Sequence, residues 1–367
     1  MNYKDFKAAI ETAGEALGRG DLNPHLAKLW FDGETVSAWD DNVAIQTVCP
    51  FTLVGWVDGD KLKQLTGKAT TSNEGEVKFT TTNKAQMIKI GRSTLTVQVA
   101  PLEDRGFVMR KPDPTATIRV DPKLLIPALE FVLPCVGQSL EKPEYHGVTF
   151  ANQDGADLLI YAGQPQVLAE VKVPLKANPK NKFEYVVLPE KFCRQIIKHY
   201  GKKGAVLELN NSTATASGGL LTHPDITVFG RSISAGQQRV TLWDYIEGHR
   251  EGAKNWAPVQ DELAKMLDRA GIFPGEHHNL ELAVEAENNK VRLRITIGDE
   301  TATLVDVSSW VKVKKDVEPV IVKTNAKHLH TGAKLAQMSV DSKRIIMEDN
   351  RGDGDLVITQ VAAIIAA

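Results

Sequence analysis

The sequence has 367 residues, of which 42% are hydrophobic and 25% are charged, and its formal net charge is −2. This composition is typical of a globular chain of two or three domains, and it excludes a protein that attracts nucleic acid through its overall charge. Three widely spaced cysteines without a CxxC pair exclude a disulfide framework or a zinc site and fit a reducing, cytoplasmic compartment. We expect no signal peptide, because the N-terminal MNYKDFKAAIETAG predicts an amphipathic helix. We also expect no membrane-spanning segment, because no apolar run approaches about 20 residues.

The first third of the chain predicts a helix, strands, a second helix and more strands. The apolar residues of the opening helix recur at helical spacing: Phe6, Ile10, Ala13 and Leu17. Gly18 and Gly20 are expected to end that helix and to leave Arg19 exposed in a loop. Asp-Gly and Asp-Asp-Asn turns in HLAKLWFDGETVSAWDDNVAIQTVCPF predict hairpins. The segment VGWVDGDKLKQLTGKA then predicts a strand that enters a helix with Leu62 and Leu65 on its buried face.

The middle third repeats this order around VVLPEKFCRQIIKHYGKKGAVLEL, which predicts a strand, a helix and a strand. Phe192, Ile196 and Tyr200 recur every four residues and form the buried side of the helix. Pro189 suits the first helical turn, and Gly201 is expected to end the helix.

The last third opens with a helix in WAPVQDELAKMLDRAGIF and later contains PVIVKTNAKHLHTGAKLAQM, a predicted strand and helix with Asn325 as N-cap. The apolar side of this last helix is expected to be Leu329, Ala333 and Ala336. The second helices begin near Asp60, Pro189 and Asn325, about 130 residues apart, a repeat of domain size. The sequence therefore predicts three similar α+β domains, with bounds 1–112, 113–247 and 248–367.

Basic residues recur on the faces of these helices opposite the apolar stripe. Since the chain has no net positive charge, any basic surface must be local. A solvated helix face is the ordinary explanation for each cation, and only the recurrence of the rows favours a function. The rows and one loop arginine are Arg19, Lys61, Lys63, Lys68, Lys191, Arg194, Lys198, Lys202, Lys265, Arg269, Lys327 and Lys334.

In order and pattern, the whole chain resembles the bacterial-type β subunit of DNA polymerase III, the sliding clamp. The strings that carry the resemblance are HLAKLWFDGETVSAWDDNVAIQ, LEFVLPCVGQSLEKPEYHGVTFANQDGADLLIYAG, FEYVVLPEKFCRQIIKHY and TNAKHLHTGAKLAQMSVDSKRIIMED. Where the family often has Thr-Asp-Gly-His-Arg-Leu, this chain has GQPQVL, and its end, VAAIIAA, lacks the family's Met-Pro-Met-Arg-Leu-like tail. These departures indicate a divergent member, and a phage source is one origin that would fit.

The resemblance implies a head-to-tail homodimer in which six domains close a ring, with the helices lining the hole. The basic residues named above would then contact the phosphates of double-stranded DNA without reading its sequence. The implied partners are a DNA polymerase and a clamp loader, in the cytoplasm of a bacterium or of a virus's host, with no cofactor and no membrane.

The resemblance also implies two protein-binding surfaces. The dimer interface would use Phe107, Ile272 and Phe273; the alternative is that Ile272 and Phe273 only cap the core of their own domain. A partner-peptide groove would use Val167, Leu168, Arg239, Val240, Leu242, Val361, Ile364 and Ile365. For the C-terminal residues, the alternative is that they only form the last strand of the third domain.

No catalytic motif is recognisable: the sequence contains no GxSxG, no P-loop and no HExxH. His277 and His278 are adjacent and would make a poor metal pair, so we expect neither a metal site nor enzymatic activity. Two alternatives stay open from the sequence. One is a scaffold or virion protein of three α+β repeats, and the other is an enzyme whose site is assembled from distant residues.

Overall fold

The computed structural model describes most of the chain. It comprises residues 2–21, 23–49, 53–69, 75–81, 85–98, 116–137, 145–152, 157–164, 167–175, 183–210, 218–233, 256–258, 261–273, 279–299, 301–330, 332–340, 344–350 and 357–363. The chain divides into two compact units, Met1–Arg119 with Lys191–Ile233, and Val120–Glu190 with Ser234–Ala367. No helix in the described ranges is long and apolar enough to span a membrane.

The first unit contains an eight-stranded antiparallel sheet. With strands numbered in chain order, its order is β4 (Val54–Asp58), β1 (Lys28–Asp32), β2 (Thr35–Trp39), β3 (Val43–Val48), β15 (Ile226–Arg231), β14 (Gly218–His223), β13 (Val206–Asn210) and β8 (Ala116–Ile118). A second sheet consists of β5 (Val77–Thr81), β6 (Ala85–Ile90) and β7 (Ser93–Gln98). The helices are α1 (Tyr3–Gly14), α2 (Gly59–Lys68) and, from Lys191 onward, α4 (Glu190–His199).

The second unit contains another eight-stranded antiparallel sheet. Its order is β12 (Phe183–Pro189), β9 (Gly147–Asn152), β10 (Asp157–Gln164), β11 (Val167–Pro174), β24 (Val357–Ala363), β23 (Arg344–Asn350), β22 (Gln337–Val340) and β16 (Trp256–Pro258). The other sheet has the order β19 (Thr303–Val307), β18 (Lys290–Gly298), β17 (Asn279–Glu287) and β21 (Val320–Asn325), and β20 (Val311–Lys312) also pairs with β18. The helices are α3 (Pro122–Val132), α5 (Glu262–Ala270) and α6 (Ala326–His330).

The repeat predicted from the sequence is confirmed by the order of the strands. Three sets of four strands share one arrangement, in which the fourth strand lies beside the first: β1 to β4, β9 to β12, and β17 to β19 with β21. The fourth strand of each set leads directly into a helix, α2, α4 or α6. Three further sets, β5 to β7, β13 to β15 and β22 to β24, are three-stranded meanders. The fold is therefore a repeated α+β fold, while the three domain bounds stay a prediction.

The sheets continue from one repeat into the next at two places. β3 pairs with β15 over Val43–Thr47, and β11 pairs with β24 over Val167–Lys172. The equivalent edges in the remaining two sets belong to β19 and β7, and within the described residues neither edge has a strand partner. One chain therefore presents two matching open edges. An open edge exposes unpaired backbone N–H and C=O groups that can accept another strand.

Helix faces agree with the sequence predictions, whereas two helix ends do not. Phe192 and Ile196 are fully buried on α4. The opening helix ends at Gly14 rather than at Gly18, because the chain continues from there in turns with i→i+3 hydrogen bonds. The last helix ends at His330, followed by a single 3₁₀ turn, so that Leu329 and Ala333 are buried but Ala336 is exposed.

Candidate nucleic-acid interface and partner surfaces

The three predicted cations of α2 are exposed and only weakly held. Asp58 caps the helix by accepting a hydrogen bond from the Lys61 amide at 2.9 Å, and its other oxygen lies 3.6 Å from the Lys61 ammonium. Lys63 reaches the carbonyl oxygen of Gly14 at 3.4 Å. Lys68, in the last turn, has no ion-pair partner within the described ranges. Such exposed pairs contribute at most about 1 kcal/mol, so these ammonium groups remain available to an anionic ligand.

The cations of α4 are held more closely than those of α2. Lys191 forms an ion pair with Asp40 at 2.5 Å, and Lys198 forms one with Glu15. Burial raises the pKa of the Glu15 carboxyl, but the hydrogen bonds from Lys198 and Gln195 and the charge of Lys198 outweigh it and lower the pKa overall. Arg194 is exposed on the same helix. The predicted row therefore exists, with two of its lysines already paired to carboxylates.

The third set of predicted cations is divided among different environments. Lys265 and Lys327 are exposed and form no ion pair with any described residue. Arg269 instead binds Asp306 of β19 at 2.5 Å, an interaction that raises the pKa of the guanidinium. Lys334 lies in the 3₁₀ turn after α6, and its side chain is outside the described part. Lys202, just beyond α4, lies 3.0 Å from Nδ1 of His199.

Arg19 lies apart from the helix rows, in a cavity of about 610 Å³ with mixed charge. The cavity lies beside the end of α1, the start of α2 and the β2–β3 turn, and its charged lining residues are Arg19, Asp21, Asp40, Asp41, Asp60 and Lys63.

Sequence analysis missed the acidic partners of the lysines on α4. No local signal could have found them, because Lys191 and Asp40 are 151 residues apart and Lys198 and Glu15 are 183 apart.

Only part of the predicted peptide groove lies within the described ranges. Val167 and Leu168 are buried on β11, and the backbone of Leu168 is paired with that of Val361 on β24. A cavity of about 290 Å³ opens beside Val167 and is also lined by Pro134, Cys135, Val136, Gln164, Lys327 and His328. The side chain of Val361 and the remaining groove residues, Arg239, Val240, Leu242, Ile364 and Ile365, lie outside the described part.

The predicted interface residues after α5 differ in exposure. Ile272 is 71% exposed, whereas Phe273 packs against the buried core of the second unit. The Arg269–Asp306 pair joins the last turn of α5 to β19, whose Val305 and Val307 are also exposed. Val305 and Val307 alternate with Asp306 along β19, so they are exposed on the face of the sheet opposite to α5. Phe107, the predicted partner residue, lies outside the described ranges.

The described residues contain no group of three or more histidine, cysteine, aspartate or glutamate side chains arranged to hold a metal ion. All three cysteines are buried as free thiols. Burial raises the pKa of the Cys135 thiol to about 12, and burial together with the charge of Asp32 also raises the pKa of Cys49. Neither of these two thiols is therefore activated as a nucleophile.

Solved structures share this fold over the full length of the chain. The sliding clamp of Bacillus subtilis superposes with a TM-score of 0.79 at 14% identity, covering 100% of this chain and 98% of that one. A clamp from Bartonella birtlesii bound to griselimycin superposes with a TM-score of 0.80 at 14% identity, covering 100% of this chain and 98% of that one. The Helicobacter pylori clamp bound to a DNA ligase peptide superposes with a TM-score of 0.77 at 14% identity, covering 100% of this chain and 99% of that one. No family model and no curated protein matches the sequence. The chain thus has the sliding-clamp fold.

Proposed function

We propose that this chain is a DNA sliding clamp, a non-enzymatic accessory subunit that encircles duplex DNA and tethers a polymerase to it. The observation that carries the proposal is the repeated fold with two matching open edges, β7 and β19, in a chain whose helices carry rows of cations. The full-length likeness to solved bacterial clamps supports the same function.

Ring closure would complete the pattern of sheets. Within the chain, β3 pairs with β15 and β11 pairs with β24, each joining a four-stranded set to a three-stranded set. β19 of one copy would pair with β7 of a second copy in the same way, and a head-to-tail contact of this kind closes when the rotation returns to the start. Exposed Ile272 and Val305 would be buried in that contact. Two copies, joined twice, would form the ring.

DNA would be held through its phosphates alone. Lysine and arginine side chains on helix faces can follow the duplex backbone without contacting base edges, which gives affinity without sequence specificity. Several of the exposed cations, among them Lys68, Lys265 and Lys327, have no ion-pair partner within the described residues and could contact phosphates directly. Weak and interchangeable contacts of this kind would let the ring slide.

Other proteins would bind a groove at the junction of β11 and β24, where Val167 and the neighbouring cavity lie. The clamp of Helicobacter pylori in complex with a DNA ligase peptide supports a peptide as the ligand. We assign a DNA polymerase and a clamp loader as the partners, and the cytoplasm as the compartment. Because the GQPQVL segment and the C-terminal residues differ from the family pattern, the groove would prefer a different peptide motif.

Dissociation from linear duplex with open or blocked ends tests the proposal without requiring a loader. The protein is allowed to thread onto a duplex with biotin at both ends, and streptavidin is then added to half of the sample. A ring should leave the open duplex quickly and stay on the blocked one, and it should fail to bind when the ends are blocked first. Equal dissociation from the two samples would show that the protein binds only to the surface of DNA.

A further inference from the structure

The cation row of α4 is matched by carboxylates from two separate segments of the first repeat. Glu15 follows the end of α1 and accepts hydrogen bonds from two side chains of α4. One comes from the ammonium of Lys198, and the other comes from the amide nitrogen of Gln195 at 2.5 Å. The Lys198 and Glu15 side chains are 47% and 36% exposed, so the pair is accessible to a competing anion.

Asp40 makes the second pairing from the turn between β2 and β3. Its Oδ2 atom accepts a hydrogen bond from the Lys191 ammonium at 2.5 Å. Its Oδ1 atom separately accepts the backbone amides of Asn42 and Val43, at 3.2 and 2.8 Å, and so shapes the turn. The turn depends on Oδ1 of Asp40 and the ion pair on its Oδ2, so a substitution that removes the charge need not unfold the turn.

The next repeat shows that the fold can form without this acid. Gln164 ends β10 just before the turn to β11, the position that Asp40 occupies after β2. Lys327 is the second residue of α6, as Lys191 is of α4. Gln164 and Lys327 line one cavity, and Lys327 has no ion-pair partner among the described residues. The carboxylate at Asp40 therefore adds a charge that the repeat itself does not require.

Partly exposed ion pairs are weak, worth at most a roughly fivefold change in an equilibrium. A duplex offers a dense row of phosphates, each of which can take the place of a carboxylate beside a lysine. The pairings would therefore lower affinity for DNA without abolishing it.

We propose that Glu15 and Asp40 are internal competitors of DNA, which occupy Lys198 and Lys191 until phosphates replace them. The inference rests on the proposed function. Its consequence is a ring whose second-repeat helix contacts DNA only transiently, because each lysine can return to its own carboxylate as the duplex moves past. Glu15 and Asp40 act here through the lysines, and so they are positioning residues that do not touch the ligand.

The test compares Glu15→Gln and Asp40→Asn with Glu76→Gln. The first two keep the shape of the side chain and remove its charge. Glu76, just before β5, forms an exposed pair with Lys78 at 3.2 Å and gives a control with the same change in net charge. Binding to a short fluorescent duplex is measured by anisotropy over a range of salt concentrations, and thermal unfolding checks that each variant is folded.

Each of the two variants should bind DNA about twofold to fivefold more tightly than the parent and the control, with a salt slope steeper by up to about 0.9. Affinity that rises no more than in Glu76→Gln, or that falls, would overturn the inference. That result is distinguishable from a failure of the proposed function, in which the parent protein itself would show no salt-dependent DNA binding. If Asp40→Asn does not fold, Glu15→Gln alone decides the question.

Discussion

The Nδ1 atom of His199 lies 3.0 Å from the ammonium nitrogen of Lys202, and the imidazole is only 4% exposed. Burial, together with the charges of Lys202 and Lys198, lowers the pKa of His199 to about 4. The folded protein therefore keeps this histidine neutral at pH values where the unfolded chain, with an ordinary pKa of about 6.5, takes up a proton. Stability should accordingly be complete above about pH 6.5 and decrease as the pH falls toward 4.

We predict that His199 costs the protein about 1–2 kcal/mol of unfolding free energy between about pH 7 and pH 5. Urea unfolding of the parent and of His199→Gln at the two pH values measures this loss as the difference between them. A further loss should remain in both, because burial also lowers the pKa of His328. His330, which is exposed and paired with Asp268, provides the matched control His330→Gln. A pH dependence that is the same in His199→Gln as in the parent would contradict the assignment. The lowered pKa of Glu15 acts only at more acidic pH, so it does not interfere.

If β19 forms the dimer interface, substitution of the exposed apolar residues near it should weaken the dimer. Ile272→Ser combined with Val305→Ser should shift the dimer toward folded monomer, because burial of each side chain contributes about 1.5–3 kcal/mol. The dissociation constant should rise at least about tenfold in sedimentation equilibrium. Phe273 is unsuitable for this test because it packs into its own core. Ile321, 59% exposed on β21 at the opposite edge of the sheet, gives the control Ile321→Ser. An undisturbed dimer would place the interface elsewhere.

Charge reversal in the third repeat should weaken DNA binding. Lys265→Glu with Lys327→Glu removes two exposed cations, and the salt slope should fall by roughly two if both contact phosphate. Lys314→Glu with Lys315→Glu, in the turn after β20, makes the same change in net charge. Titration of both double variants with duplex DNA checks the prediction. If the two lose affinity equally, only the overall charge matters and the helix rows have no special role.

We predict that deletion of the C-terminal residues separates ring formation on DNA from stimulation of the polymerase. Deletion of residues 364–367 should leave the dimer and its threading onto DNA intact while it abolishes stimulation of the cognate polymerase, because Ile364 and Ile365 would help to form the peptide groove. Primer extension measured with and without the ring reports the stimulation. Full stimulation by the shortened chain would mean that the polymerase binds another surface.

Local pattern predicted the helices and most of their buried faces, although Ala336 lies beyond the last helix and is exposed. The spacing of Phe192 and Ile196 identified the core side of α4, and Asn325 does accept the amide of Lys327 at 2.9 Å as an N-cap. The end of α1 was predicted wrongly, since the helix stops at Gly14 and the chain continues in turns with i→i+3 hydrogen bonds. A Cβ atom there would lie 2.8 Å from the Lys63 side chain of α2, and no pattern within the first helix reveals that approach.

The pairing of distant charges could not be predicted for a related reason. Lys191 and Lys198 follow the helical period of α4, and so the sequence showed that they share a face. Their partners, Asp40 and Glu15, belong to a different repeat and lie next to α4 only because β3 pairs with β15 in the folded sheet. Sequence periodicity reports which residues lie together on one element, and tertiary pairing decides which of their charges remain available.

The most direct test of the account is small-angle X-ray scattering from the purified protein, which gives its mass and its shape in one measurement. The account predicts twice the mass of a single chain and a distance distribution with the central deficit of a hollow ring. Ile272→Ser combined with Val305→Ser should abolish both features. A solid particle with the mass of one chain would contradict the closed dimer and with it the proposed function.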